Sequence, residues 1–281
     1  MKTFETNWKT RDGLDIFAQG WEPDRAPKAV ICLVHGHGEH SGRYAHVGAA
    51  LAKAGYALYG FDQRGHGKSA GARGHTPSYD RLMDDVEDLL GQSAQRYAGL
   101  PQFLYGHSMG GNEVLNYAIR RKPQMAGVIA TGPWLKLAFE PPAFKVALGR
   151  FMNNIAPGFT QASGLETAAL SRDQKVVDAY VNDPLVHDKI SARTFVSIHD
   201  AGLWALAHAQ EFPLPLLLMH ASADRIISAQ ASREFAKKGG KNITLHIWDD
   251  WYHEIHNEPG QAEVFKMMTI WMDARLNSYS L

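Results

Sequence analysis

Gly106-His107-Ser108-Met109-Gly110 lies between the apolar run Phe103-Leu104-Tyr105 and a helical pattern carried by Val114, Leu115 and Ala118. The order is strand, abrupt turn, helix. So tight a turn strains its central residue and is tolerated only where the flanking positions carry no bulk; Gly106 and Gly110 meet that need, and Gly111 adds slack. A hydroxyl is thereby lifted clear of a sheet edge at a helix N-terminus, where main-chain N–H groups and the helix dipole favour negative charge. That is the place of an acyl-transfer nucleophile. The same pentapeptide arises in ordinary glycine-rich loops, so its weight comes from the flanking elements and from an acid and a base downstream in the required order.

Working outward, residues 4–8 and 14–21 read as strands joined through Arg11-Asp12-Gly13, a hairpin signal. Ala29-Val30-Ile31-Cys32-Leu33-Val34 is a continuous apolar run, suited to a strand buried on both faces of a parallel sheet. Helical spacing of Val47, Ala50, Leu51 and Ala54 stops at Gly55, and residues 56–61 form the next strand. Asp62-Gln63-Arg64-Gly65-His66-Gly67-Lys68-Ser69 lacks the spacing of a phosphate cradle. It reads as a structural loop in which Asp62 and Arg64 pair with each other or with backbone groups. Pro77-Ser78 starts a helix through Leu82, Val86, Leu89 and Leu90, and residues 125–131 are a further strand.

Such alternation predicts an α/β fold, a mainly parallel sheet covered by helices on both faces. From 133 to 212 the rhythm breaks into short apolar helical pieces separated by prolines, which predicts an inserted helical cap. Sheet order resumes at 214–220, then a helix over 229–237, a strand over 243–248 and a closing helix over 259–276. The core is therefore 1–132 with 213–281, and the cap is 133–212.

With 281 residues the chain can form one large domain with an insertion. Lysine plus arginine equals aspartate plus glutamate at 29 each, which leaves no electrostatic footprint for nucleic acid and places the partner in a pocket. No apolar stretch has signal-peptide or membrane-spanning length, so a cytoplasmic protein is expected, with at most peripheral membrane contact through the cap. Cys32 is the single cysteine, which excludes an internal disulfide. No metal-ligand spacing is seen, and neither metal nor cofactor is expected.

Ser-His-Asp chemistry needs a base for the hydroxyl proton and a carboxylate that holds the base in one tautomer. Asp224 follows the strand over 214–220, at the sheet edge that carries Ser108, and its place in chain order favours it as the acid; its other reading is a turn aspartate that caps the next helix. Asp249 and Asp250 are rival acids, but they adjoin the base and are better suited to shaping its loop. Among 14 histidines, His253 follows the last strand, where the base belongs in chain order; His256 is the near alternative.

His35-Gly36-His37-Gly38-Glu39-His40-Ser41-Gly42-Arg43-Tyr44, the 61–69 loop, the 106–111 elbow, Asn182-Asp183-Pro184-Leu185-Val186, Ser222-Ala223-Asp224-Arg225 and Tyr252-His253-Glu254 together resemble the monoacylglycerol lipase and lysophospholipase group of α/β-hydrolases, which is serine aminopeptidase S33-like. The resemblance runs from about residue 28 onward. It implies Ser108 as nucleophile, Asp224 as acid, His253 as base, and the backbone N–H groups of His37 and Met109 as oxyanion hole. His37 departs from the group, which often has a small residue there. A backbone donor does not depend on its side chain, but this imidazole would narrow the pocket or meet the alcohol portion.

The reaction so implied is hydrolysis of a lipid ester, monoacylglycerol first and lysophospholipid or a broad range of carboxylic esters second. An apolar cap suits an acyl chain, and His37, Trp134, Leu135, Phe139, Phe144 and Phe151 are the expected substrate contacts. Aminopeptidase-like amide hydrolysis, acyl transfer and non-catalytic binding remain the competing classes.

Overall fold

The computed structural model describes residues 1–279. β1 (Lys2–Lys9) and β2 (Asp15–Glu22) form an antiparallel hairpin. β3 (Val30–Val34), α1 (Ala45–Lys53), β4 (Ala57–Phe61), α2 (Tyr79–Arg96), β5 (Gln102–His107), α3 (Met109–Arg121) and β6 (Gly127–Thr131) then alternate. Next come α4 (Ala143–Ile155), β7 (Thr160–Ala162), α5 (Gln174–Asn182), β8 (Lys189–Ser191) and α6 (Ala192–Ala207). β9 (Leu216–Ala221), α7 (Ala229–Gly239), β10 (Ile243–Trp248) and α8 (Gln261–Tyr279) close the described chain.

Among the described residues the main sheet has eight strands in the order β1-β2-β4-β3-β5-β6-β9-β10. Only the two pairings of β2, with β1 and with β4, are antiparallel. β3 shows why its apolar run is unbroken. Val30, Cys32 and Val34 enter one core with Val86 of α2 and Val114 of α3, whereas Ile31 and Leu33 enter the opposite core with Leu51 of α1 and Met268 of α8. Each such side chain contributes about 1.5–3 kcal/mol by leaving water.

The strand order reverses at β3, with β4 on one side and β5 on the other. In an open parallel sheet this opens a crevice beyond the carboxyl ends, where the loops after β3 and β5 meet. Gly110 is what lets them meet. A Cβ there would collide with the Val34 carbonyl oxygen, and one on Gly106 would collide with the carbonyl of Gly110.

Two expectations need correction. Asp62 takes the backbone alternative, accepting from Ser41 N and Lys68 N at 2.8 and 2.7 Å besides Ser41 Oγ at 2.6 Å, whereas Arg64 takes neither alternative: it binds Asp85 at 2.5 and 2.7 Å and reaches Asp12. The segment 133–212 is also more ordered than a set of short helices. It contains the antiparallel β7–β8 pair and the 16-residue α6, capped by Ser191. α6 lies along α3, tied by Asn112 Nδ2 to the Ile198 carbonyl at 3.0 Å and by Asn116 Nδ2 to that of Ala201 at 3.1 Å. α4 packs on α6 and has no buried residue. No described helix is long and apolar enough to cross a membrane.

Candidate active site

Ser108 joins β5 to α3 with φ 54° and ψ −113°, a left-handed conformation that a side-chain-bearing residue adopts only under constraint. Its N–H donates to the Thr131 carbonyl at 3.0 Å, and its own carbonyl accepts from Asn112 N and Trp134 N. These bonds hold the turn, and the hydroxyl stands free of them. Ser108 Oγ lies 2.9 Å from His253 Nε2, and His253 Nδ1 lies 2.6 Å from Asp224 Oδ2. A carboxylate only accepts, so Nδ1 carries the proton and Nε2 is open to accept the serine proton.

Asp224 braces its own loop and faces His253, but it does not cap the next helix. Its Oδ1 accepts from Ile226 N and Ile227 N at 2.8 and 2.9 Å, which shapes the loop, while Oδ2 faces the imidazole. The cap of α7 is Ser228. His220, the polar residue within apolar β9, donates Nε2–H to Asp224 Oδ2 at 3.1 Å and accepts from Ser232 Oγ at 2.7 Å. The sequence reading passed over it, although a histidine ending an apolar run four residues before the acid was a usable signal. Burial opposes the Asp224 charge, yet His253 and His220 outweigh it and hold the carboxyl well below the usual range. For His253, burial pulls downward while the Asp224 charge and hydrogen bond pull harder upward, so its pKa is raised.

His256 does not reach Ser108 or Asp224; it stacks on Tyr44, with ring centroids 4.8 Å apart, and is fully buried. Asp250 sits in the loop before the base, its N–H bonded to Ser222 Oγ at 2.8 Å. The loop after β3 brings Gly36 and His37 against Ser108, close enough that a Cβ on Gly36 would lie 3.3 Å from the Ser108 Cβ. Gly36 N–H donates to Glu39 at 2.7 Å; the N–H groups of His37 and Met109 have no acceptor among the described residues. Glu39 and Glu254 are bridged by Arg43, at 2.6 Å to Glu39 and 2.7 Å to Glu254. This bridge joins the loop of His37 to the loop of His253.

Above Ser108 opens a cavity of about 1110 Å³, with His253, His37, Trp134, Leu137, Phe139 and Phe144 in its wall. The His37 ring donates Nε2–H to the Lys189 carbonyl of β8 at 3.0 Å and packs edge-on against His66 and His187. Burial and His187 push its pKa down to about 3, so it is a neutral wall. Two expected contacts fall outside. Leu135 turns into the core, 1 % exposed, because its N–H closes a tight turn onto the Pro133 carbonyl. Phe151 lies one residue off the Leu148–Met152 row that faces the cavity and is 58 % exposed.

The family model described as Serine aminopeptidase, S33 matches residues 25–260. The chain belongs to this family. A monoacylglycerol lipase of Mycolicibacterium smegmatis is 34% identical over 266 residues, covering 94% of this chain and 95% of the relative. The crystal structure of Paleococcus ferrophilus monoacylglycerol lipase superposes with a TM-score of 0.84 at 33% identity, covering 98% of this chain and 100% of that one. An abhydrolase domain-containing protein of Dictyostelium discoideum is 34% identical over 99% of this chain, which spans 30% of its length. This S33-family chain has the α/β-hydrolase fold and is a serine ester hydrolase.

Proposed function

We propose that the protein hydrolyses monoacylglycerol through an acyl-enzyme on Ser108. The observation that supports this reading best is the Ser108–His253–Asp224 relay, at 2.9 and 2.6 Å, on the floor of an apolar cavity. His253 Nε2 takes the hydroxyl proton as Oγ attacks the ester carbonyl, and Asp224 stabilises the imidazolium. The N–H groups of His37 and Met109 receive the oxyanion, each contributing about 3 kcal/mol to the barrier reduction. The tetrahedral intermediate expels the alcohol, which leaves with the proton from His253. Water, deprotonated by the same imidazole, then attacks the acyl carbonyl and releases the fatty acid and free Ser108.

The acyl chain is assigned to the wall made by Trp134, Phe139 and Phe144, with Leu135 and Phe151 withdrawn from the set. Each methylene transferred there contributes about 0.8 kcal/mol. An uncharged head group is favoured because Glu39 and Glu254 also line the cavity and Arg43 is already spent on both. Of the cations in the cavity wall, Arg225 is paired with Glu166 at 3.0 Å, which leaves Lys145 as a single charge rather than a basic cluster; Arg150, outside the wall, is paired with Asp200 at 2.6 Å. Phe144, Leu148, Phe151 and Ile155 leave 56–68 % of their surface exposed on α4, and this face is assigned to contact with the lipid surface that supplies substrate.

The test is labelling with a fluorophosphonate, followed by turnover of monoacylglycerol and lysophospholipid of matched acyl length. Modification at Ser108 and faster monoacylglycerol turnover are expected. Labelling elsewhere removes the nucleophile assignment, and faster lysophospholipid turnover removes the head-group assignment. Faster cleavage of aminoacyl amides than of esters would remove both.

A further inference from the structure

A main-chain N–H stabilises an oxyanion only if it is aimed, and Gly36, beside the donor, is the residue type least able to hold an aim. Gly36 is nonetheless required, because a Cβ there would lie 2.8 Å from Glu39 Oε1 and 3.3 Å from the Ser108 Cβ. We infer that His35 is the positioning residue that fixes the direction of the His37 N–H. This rests on the oxyanion hole proposed above.

His35 follows β3 and is fully buried. Its Nδ1 is 2.7 Å from the Gly36 carbonyl oxygen and its Nε2 is 2.9 Å from the main-chain nitrogen of Gln63. The Gln63 N–H can only donate, so Nε2 must accept; the Gly36 carbonyl can only accept, so Nδ1 must carry the proton. One neutral tautomer serves both contacts, and no other protonation state does. Burial also holds the ring pKa below the ordinary histidine value, in favour of that neutral form.

The consequence lies in the peptide unit. The Gly36 carbonyl and the His37 N–H belong to one planar trans peptide, so they point in opposite directions. A ring that grips the oxygen therefore sets where the hydrogen points. The preceding peptide is gripped as well, by Glu39 Oε1 on Gly36 N–H at 2.7 Å, and Glu39 is itself held by Tyr44 and Arg43 at 2.8 and 2.6 Å. Gln63 Nε2 returns a bond to the His35 carbonyl at 2.7 Å, so the ring is anchored to the loop after β4. Both planes that flank Gly36 are fixed before substrate arrives.

Two polar substitutions separate aiming from anchoring. In His35→Asn the amide nitrogen reaches the place of Nδ1 and keeps the bond to the Gly36 carbonyl, but the acceptor for Gln63 is lost. In His35→Gln the amide oxygen reaches the place of Nε2 and keeps the Gln63 link, but the donor to Gly36 is lost. Both are measured on a short soluble ester for kcat and KM, with an alkylboronic acid as tetrahedral mimic and thermal unfolding as a check on the fold. The expected result for His35→Gln is a fall in kcat of about a hundredfold with KM nearly unchanged, and boronate affinity falling in step with kcat/KM. His35→Asn is expected to keep kcat within about tenfold of the parent while melting earlier. The reverse order, or a boronate affinity that does not follow kcat/KM, overturns the inference. Fluorophosphonate labelling of the unsubstituted protein is scored separately. Absence of label on Ser108 defeats the nucleophile assignment, whereas normal labelling with an unimpaired His35→Gln defeats this inference alone.

Discussion

Ser108, Asp224 and His253 are 8 %, 8 % and 3 % exposed, whereas α4, which walls the same cavity, has no buried residue and leaves Phe144 68 % exposed. On the floor, the side-chain nitrogens and oxygens that face one another are paired, and their owners follow the ends of β5, β9 and β10. On the cover, apolar side chains face solvent and one another. Proton transfer works only at fixed distances, so the side chains proposed for it are sealed into the sheet edge; an acyl chain of variable shape is better met by a surface with few buried contacts of its own.

The largest expected effect falls on the floor. Ser108→Ala should reduce ester turnover by about a millionfold while leaving the cavity intact. The measurement is kcat on a soluble ester with thermal unfolding alongside. Residual turnover near the parent rate would put the chemistry elsewhere. Asp224→Asn should lower kcat by about ten thousandfold, since an amide in that place no longer enforces the Nδ1–H tautomer. The pH profile sharpens the same point. His253 must be neutral to act, and its pKa is raised by Asp224, so kcat/KM should fall with acid along a limb centred above 6.5. A limb centred below that value would mean that the carboxylate does not govern the imidazole. The stability linkage runs the other way. A raised histidine pKa contributes stability that is full below the unfolded value and is lost as pH rises through the folded one. The protein thus gains activity over the same interval in which this pair ceases to stabilise it.

Next comes the bridge between the loops. Arg43 is nearly buried and spans Glu39 and Glu254, each with only 3 % of its side chain exposed. Arg43→Leu would leave two carboxylates uncompensated and should cost about 3–5 kcal/mol, read by denaturant unfolding. A loss under about 1 kcal/mol would show the floor to be less tightly braced than its geometry implies.

The sheet and the placing of the candidate site residues along its edge were legible for the same reason. Residues 30–34, 57–61 and 216–221 are apolar enough to announce strands; Ser108 follows β5 directly, Asp224 comes three residues after β9 and His253 five residues after β10. The inner make-up of the cover was not legible. β7 and β8 are three residues each, too short for alternation to show, and the buried face of α6 includes Ala201, Gly202 and Ala205, which gives little apolar contrast. Phe151 misled because apolar character at helical spacing looks like a wall residue whether or not anything packs on it. Pairings such as Arg43 with Glu254, 211 residues apart, leave no local trace.

The smallest expected effect is on the cover. Phe151 and Ile155, 58 % and 61 % exposed, lie outside the cavity wall, so the double change Phe151→Ser with Ile155→Ser removes apolar surface without touching the relay. Unfolding free energy should move by no more than about 0.5 kcal/mol per site. If this face meets lipid, the two side chains together contribute about 3 kcal/mol on leaving water, so sedimentation with vesicles should weaken by up to about a hundredfold. Turnover of a short soluble ester should stay within about twofold of the parent. Unchanged vesicle binding would mean that α4 is exposed for another reason. A fall in soluble-ester turnover to match would mean instead that cover and floor are mechanically coupled, which the absence of buried side chains on α4 argues against.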